Sequence, residues 1–167
     1  IIEQVKSMSL MVQAFSEFAN TPKIKKSPHN LNSIINSTIE LYDADSEVEI
    51  RLDIDGSIPN VYLDIESIKR VFINLVKNSK EANNSELTII KIKSELDKVK
   101  KMVKVTIEDN GDGFDKNIID KIFEPYATTK ITGSGLGLAI VQNIVDQHNG
   151  NIFAKNIKPH GARIVIE

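Results

Sequence analysis

A glycine-rich run that leads directly into an amphipathic helix constrains the fold of this 167-residue chain more than any other feature. The run, residues 132–138, reads T-G-S-G-L-G-L, and an apolar helical pattern continues over 135–148. Glycines at the start of a helix let backbone N–H groups approach an anion, which the helix dipole also favours. The run lacks the ending of a Walker A loop, and no buried strand precedes it as in a Rossmann fingerprint. Taken alone, it fits either a phosphate site or an ordinary glycine-rich turn.

A second polar turn, D-N-G-D-G, starts at Asp109 and directly follows the predicted strand 102–108. Asn-Gly and Asp-Gly are strong turn formers, so an ordinary turn is the simplest interpretation. In the functional interpretation, Asp109 accepts a hydrogen bond from an amine such as the exocyclic group of adenine. Gly111 and Gly113 would then let the backbone pass close to the base.

The predicted helix 64–82 carries a polar stripe beside its apolar face. Asn74, Asn78 and Glu81 follow one another at spacings of four and three residues, which places them on one flank of the helix. Neutral oxygen ligands beside a phosphate suit Mg²⁺, which takes few protein ligands and keeps several waters. A solvated helix face explains the same stripe, and these residues alone leave both interpretations open.

The remaining periodicity predicts further helices and strands. Helices are predicted over 1–19, 31–42 and 115–123, and strands near 48–54, 87–95, 102–108, 151–155 and 161–166. Asp64 is a predicted N-cap, with Leu63 and Ile68 placed as a hydrophobic staple. Two prolines interrupt the periodicity over 20–28. This order of elements predicts an α+β two-layer sandwich behind a helical arm.

Composition excludes several classes of function. The 21 basic and 23 acidic residues give a net charge of -2, which argues against general nucleic-acid binding. The chain has no Cys, which excludes disulfides and thiolate chemistry, and only three His, which argues against a zinc site. No apolar run approaches the roughly 20 residues that a membrane span needs. Because the chain begins at Ile1 without a targeting signal, we expect a fragment of a cytoplasmic domain.

In combination, the three motifs resemble the GHKL ATP-binding fold, which gyrase B, Hsp90, MutL and the sensor histidine kinases share. N-L-V-K-N-S-K-E-A (74–82) is similar to the N box, D-N-G-D-G (109–113) to the G1 box and G-S-G-L-G-L (133–138) to the G2 box. F-E-P-Y (123–126) resembles the kinase F box, with Tyr126 where Phe is usual. The resemblance covers roughly residues 60–167. It implies a two-layer sandwich of the Bergerat type, the cofactors ATP and Mg²⁺, and an ATP lid over about 114–134.

The resemblance also implies a set of nucleotide-binding residues. Asn78 would bind Mg²⁺, Asn74 would lie beside the metal and the phosphates, and Asp109 would bind adenine. Lys77 and Lys130 would contact phosphate. The rest of the implied site is backbone at Gly111, Gly113, Gly133, Gly135, Leu136 and Gly137. Ala162 stands where many relatives carry Thr, so no contact is implied there.

Asn74 favours a kinase over an ATPase. GHKL ATPases carry a Glu at this position that activates water, whereas an amide has no basic pKa near neutrality. The F box and the helical arm also favour a kinase. Within the arm, M-V-Q-A-F-S-E-F-A-N-T-P (11–22) resembles nitrogen-regulation sensor kinases of the NtrY type, with Asn20 in place of Arg. The alternatives are a GHKL ATPase module and a degenerate module that binds partners through the arm without nucleotide.

In the histidine kinases, the phosphorylated His lies in an H-E/D-x-x-x-P motif, and no His of this chain does. His29 is interpreted as a linker residue, and His148 as a cation at a helix end. The resemblance implies that 1–22 is the second helix of a truncated dimerisation domain, 23–30 a linker and 31–167 the catalytic ATP-binding domain. The acceptor His and the general base are expected on a missing helix. Further implied partners are a cognate response regulator and a second copy in a homodimer, within a full-length protein anchored in the bacterial inner membrane.

Overall fold

The computed structural model describes residues 24–83, 87–129 and 134–167, together with Val12, which is helical. The rest of the predicted arm, Lys130 and Gly133 lie outside the described residues. The helices are α1 (Leu31–Ile39), α2 (Ile65–Glu81) and α3 (Gly137–Gln147), with short 3-10 turns at Glu40–Tyr42 and Ile119–Lys121. The strands are β1 (Ser27–His29), β2 (Val48–Ile54), β3 (Val61–Leu63), β4 (Thr88–Asp97), β5 (Met102–Asp109), β6 (Ile152–Asn156) and β7 (Ala162–Ile166).

Five of the strands form one mixed sheet in the order β2-β4-β5-β7-β6. β2 pairs with β4 in parallel, and the other three pairings are antiparallel. β1 and β3 form a separate two-stranded antiparallel ribbon. This mixed sheet with helices confirms the predicted α+β class.

The three helices cover one face of the five-stranded sheet. Along β4 the side chains alternate, so that Ile90 and Ile92 are fully buried while Lys91 and Lys93 are exposed. The buried positions of the strands join those of the helices in a single apolar cluster, which includes Ile35, Leu75, Val141, Ile107 and Ile164. The result is the predicted two-layer sandwich, with helices on one side and a charged sheet face on the other.

The start of α2 follows its sequence signals. The Asp64 side chain accepts a hydrogen bond from the backbone N–H of Ser67 at 2.9 Å, which confirms the predicted N-cap. Leu63 packs against the core cluster to which Ile68 belongs. The helix then runs for 17 residues with its apolar face on the sheet, which leaves the flank of Asn74 and Asn78 free to line a cavity at the other end.

One strand pairing was not predicted, and one local prediction was wrong. Ser27–His29, within the predicted linker, is a strand that pairs with Val61–Leu63, and the periodicity predicted neither strand. Three-residue strands are too short for an alternating pattern, and Pro28 is tolerated because it lies in a two-stranded ribbon. The helix predicted over 115–123 is only the 3-10 turn at Ile119–Lys121. Its apolar residues Ile118 and Ile122 line the cavity, which explains their helix-like spacing.

His148 ends α3, and both of its ring nitrogens lie within hydrogen-bond distance of backbone groups. Its Nε2 is 3.0 Å from the backbone nitrogen of Asp64, and its Nδ1 is 2.8 Å from the carbonyl oxygen of Ile144. Its interpretation as a helix-end cation stays a prediction. Asn149 follows with φ 61, which confirms the predicted left-handed ending. His148 thereby joins the end of α3 to the start of α2.

Across the described residues, the longest and most apolar helices fall short of what crossing a bilayer requires.

Candidate nucleotide-binding site

A cavity of about 340 Å³ lies between α2, the start of α3, the ends of β5 and β7, and the segment that follows β5. This volume falls in the range of small-molecule sites. Eight of the predicted site residues line it: Asn74, Lys77, Asn78, Asp109, Gly113, Gly135, Leu136 and Gly137. Three motifs that are 20 or more residues apart in sequence therefore meet around a single cavity.

The carboxylate of Asp109 is held by three donors of the protein. Its Oδ1 accepts from the backbone N–H groups of Gly111 and Ala162, both at 3.0 Å. Its Oδ2 accepts from the hydroxyl of Ser79 at 3.1 Å. An ionised carboxylate offers about four lone-pair positions, so one acceptor position remains for a ligand. Asp109 is therefore a fixed acceptor at the inner end of the cavity.

Apolar side chains form the walls around this acceptor. Ile107 and Ile164 come from β5 and β7, and Ile118 and Ile122 come from the opposite side. Ile107, Ile122 and Ile164 are each less than a tenth exposed, so these walls are firmly packed. A narrow apolar space with one oriented acceptor suits a flat aromatic ring that carries an amine.

The other end of the cavity combines two amide oxygens with a helix N-terminus. A Cβ built on Gly137, the first residue of α3, would lie 3.3 Å from Asn74 Oδ1 and 3.4 Å from Asn78 Oδ1. Asn74 is oriented by its Nδ2, which donates to the carbonyl of Arg70 at 2.8 Å. The N-terminus of α3 has no side-chain cap hydrogen bond. Two side-chain amides therefore lie close to a helix N-terminus, and these are the kinds of group that bind a cation and a phosphate.

The donor set fits Mg²⁺ better than a transition metal. Among residues 24–83, 87–129 and 134–167, no group of three His, Asp or Glu side chains could hold a metal ion. A cation here would instead use the amide oxygens of Asn74 and Asn78 together with phosphate oxygens and water. Hard oxygen ligands and few protein contacts are typical of Mg²⁺ sites beside phosphates.

Lys77 lies at the mouth of the cavity. Its Nζ is 4.0 Å from Glu81 Oε1, and its side chain is 70% exposed. An exposed pair at this distance contributes little to stability, so a phosphate can replace Glu81 as the partner of the ammonium group.

The glycines of the D-N-G-D-G turn are explained by contacts within the protein. A Cβ on Gly111 would lie 2.8 Å from the carbonyl oxygen of Ala82, where the turn meets the end of α2. Gly111 is not among the residues that line the cavity, so its approach to the base stays a prediction. Gly113 has φ +79, and a Cβ there would lie 2.7 Å from Asn156 Oδ1.

The segment that closes the cavity is anchored at both ends. At its start, Asn156 Oδ1 accepts from the N–H of Phe114 at 2.7 Å, and Asn156 Nδ2 donates to the carbonyl of Phe114 at 2.8 Å. At its end, the N–H of Tyr126 donates to the carbonyl of Gly135 at 2.9 Å. Tyr126 and Gly135 both have positive φ values, 67 and 65.

Sequence reasoning missed several residues of the cavity. Neither Ser79 nor Asn156 was assigned a role in the site. The missed lining residues include Ile107, Phe114, Ile118, Ile122, Thr128, Thr129 and Ile164. A local signal existed only for Ser79, a hydroxyl on an otherwise apolar face one residue after Asn78.

The family model for the histidine kinase-, DNA gyrase B-, and HSP90-like ATPase matches residues 63–167. The chain belongs to this family. Sensor histidine kinase ZraS of Escherichia coli O157:H7 is 34% identical over 140 residues, which cover 82% of this chain and 30% of ZraS. Sensory histidine kinase/phosphatase NtrB of Rhizobium leguminosarum bv. phaseoli is 28% identical over 167 residues, which cover 91% of this chain and 44% of NtrB. The chain thus spans less than half the length of either relative.

Solved structures agree with this assignment. The catalytic domain of histidine kinase ThkA superposes with a TM-score of 0.73 and 31% identity, over 86% of this chain and 94% of that chain. ThkA in complex with the response regulator protein TrrA superposes with a TM-score of 0.77 and 27% identity, over 99% of this chain and 48% of that chain. The predicted fold is confirmed, and the chain is homologous to the catalytic ATP-binding domains of two-component sensor histidine kinases.

Proposed function

We propose that the cavity binds ATP with Mg²⁺ and that the chain transfers the γ-phosphoryl group to a histidine of a dimerisation domain. The observation that carries this proposal is the meeting of Asp109, the two amide oxygens of Asn74 and Asn78, and the N-terminus of α3 around one cavity. An amine acceptor at one end and phosphate donors at the other match the two ends of an adenine nucleotide.

Each end of the cavity has its own task. Asp109 accepts a hydrogen bond from the exocyclic amine of adenine, and the adenine ring lies between the isoleucine walls. Lys77 and the backbone at Gly135, Leu136 and Gly137 bind the phosphates. Lys130 and Gly133, which lie outside the described residues, are proposed to extend this group.

Asn78, with Asn74 beside it, would bind the Mg²⁺. The metal, when bound, neutralises charge on the phosphates, and the rest of catalysis is positioning of the triphosphate. The proximity of both side-chain amides to the start of α3 supports this assignment.

The side chain at position 74 favours transfer over hydrolysis. Asn74 is an oriented amide whose nitrogen already donates to Arg70, and an amide cannot take a proton from water near neutral pH. We therefore infer that the general base comes from outside the cavity, beside the acceptor histidine. A GHKL ATPase module remains the alternative, since Glu81 and Asp115 also line the cavity.

The acceptor is proposed to lie on another segment of the full-length protein. The residues that line the cavity include none of the three histidines, and both ring nitrogens of His148 are hydrogen bonded elsewhere. A response regulator is proposed as the next acceptor because the homologous ThkA forms a complex with TrrA. Residues 1–22 as a dimerisation helix, a homodimer and a membrane anchor are further proposals. The NtrY-like nitrogen-regulation role stays a prediction, because relatives of the ZraS and NtrB types match comparably.

Calorimetric titration with ADP and a non-hydrolysable ATP analogue, with and without Mg²⁺, tests the proposal. We expect one site of micromolar affinity that is tighter with Mg²⁺, and phosphotransfer from ATP to a separately supplied dimerisation domain. Steady phosphate release by the chain alone would favour the ATPase instead. Absence of binding at millimolar nucleotide would favour a module that binds partners without nucleotide.

A further inference from the structure

A buried hydroxyl on α2 makes a hydrogen bond that its position in a helix does not require. Ser79 is 4% exposed, and its Oγ donates to Asp109 Oδ2 at 3.1 Å. A buried helical hydroxyl commonly donates to the carbonyl four residues earlier, as Thr38 does to Ile34 at 2.7 Å. Ser79 donates instead across the cavity floor to a side chain 30 residues away.

This hydrogen bond determines which lone pairs of Asp109 a ligand can use. Oδ1 already accepts from Gly111 and Ala162, and Ser79 occupies one of the two positions on Oδ2. One acceptor position is left, and both Ser79 and Asp109 line the cavity. A single oriented acceptor pairs with the amine of a 6-aminopurine and opposes the carbonyl oxygen of a 6-oxopurine.

We propose that Ser79 is a positioning residue that sets the preference of the site for 6-aminopurine over 6-oxopurine nucleotides. The inference rests on the proposed nucleotide function and goes beyond it by assigning base selectivity to a residue other than Asp109. Without the hydroxyl, Oδ2 has two open acceptor positions. The second position can accept the N1–H of a 6-oxopurine, so the affinity for 6-aminopurine nucleotides exceeds that for 6-oxopurine nucleotides by a smaller factor.

The test compares the binding of ADP and inosine diphosphate by calorimetry. In Ser79→Ala, we expect ADP to bind about five- to tenfold more weakly, because Asp109 loses a donor that orients it and one typical hydrogen bond contributes on this scale. Inosine diphosphate should bind equally well or more tightly, so that the ratio of the two affinities falls at least about fivefold. Ser79→Thr, which keeps a hydroxyl, should retain the ratio of the unmodified chain.

Two further variants distinguish a change in base preference from a general loss of nucleotide affinity. Ser79→Cys keeps the side-chain volume but donates only weakly, so it should lower the ratio as Ser79→Ala does. Thr38→Val removes a buried helical hydroxyl that bonds within its own helix, and it should leave both affinities unchanged. Thermal unfolding of each variant reports whether the fold is retained.

The outcomes distinguish this inference from the proposed function. If the unmodified chain binds neither nucleotide, the proposed function fails and the inference falls with it. If the unmodified chain binds ADP while Ser79→Ala and Ser79→Cys keep the ratio of ADP to inosine diphosphate affinity, the inference alone is overturned. An equal loss of both affinities would make Ser79 a structural residue only.

Discussion

The floor of the cavity and its lid are fixed in different ways. The floor, formed by Asn74, Asn78, Ser79 and Asp109, lies on α2 and at the end of β5, both of which belong to the packed core. The lid comprises the described residues of 114–134, where the only regular structure is the 3-10 turn at Ile119–Lys121. The residues proposed to recognise the nucleotide therefore lie on rigid elements, whereas the lid is held by turns and loop contacts.

The largest effect is expected from the floor. Asp109→Asn replaces one carboxylate oxygen with a donor nitrogen, which opposes the amine of adenine. We expect ADP affinity to fall by roughly 100-fold or more, since a hydrogen bond to a charged group is lost and a donor faces a donor. Calorimetry measures the affinity, and thermal unfolding is the control for the fold. An ADP affinity within about threefold of that of the unmodified chain would contradict the proposed role of Asp109 in base binding.

The second effect concerns the metal end of the floor. Asn78→Ala removes one of the two amide oxygens that face the start of α3. We expect the dependence of nucleotide affinity on Mg²⁺ to be lost, with roughly tenfold weaker binding when Mg²⁺ is present, because a ligand and its hydrogen bonds are removed. The measurement is a titration of the ATP analogue at several Mg²⁺ concentrations. Asn36→Ala, an exposed position on α1, is the matched control. An unchanged response to Mg²⁺ in Asn78→Ala would place the metal elsewhere.

A smaller effect is expected from the lid. Asn156→Ala removes both hydrogen bonds that anchor the backbone of Phe114. We expect ADP affinity to fall only about two- to fivefold, because each exposed hydrogen bond contributes about 1 kcal/mol or less. Proteolysis within the lid should become faster. Asn151→Ala, at an exposed position next to the same strand, serves as the control. A loss as large as that of Asp109→Asn would show that the lid, and not the floor, carries recognition.

The smallest effect is expected at the far end of α2, away from the cavity. Burial raises the pKa of Asp64, but the backbone N–H groups of Ser67 and Lys25, the side chain of Ser67 and the nearby His148 together lower it more, so the pKa lies below its ordinary value. A lowered pKa stabilises the fold above the unfolded-state pKa of about 3.9, and this contribution is lost as pH falls through the folded-state pKa. Asp64→Asn keeps a capping oxygen and should reduce the acid sensitivity of the melting temperature without changing ADP affinity. An unaltered pH profile, or a change in ADP affinity, would contradict this.

Local sequence signals predicted the floor better than the lid. Asp64 as N-cap, the Asn74–Asn78 flank and Asp109 at a strand end all follow from periodicity and capping, because each depends on neighbours within one turn or strand. Within the lid, a helix was predicted over 115–123, yet Ile118 and Ile122, which have helical spacing, both line the cavity.

The contacts that fix the site were beyond prediction from pattern alone. Asn156 bonds to Phe114 across 42 residues, and Ser79 bonds to Asp109 across 30. The pairing of Ser27–His29 with Val61–Leu63 is equally remote in sequence. Such contacts depend on the tertiary arrangement, which local propensity does not encode.

Mapping amide chemical shifts on addition of the ATP analogue with Mg²⁺ tests the central claim most directly. The account predicts the largest changes at the amides of Gly135, Gly137 and Ala162, with little change at Asp64 or on the exposed face of β4. Changes confined to that sheet face, or no changes at millimolar nucleotide, would contradict the claim that this cavity is a nucleotide site.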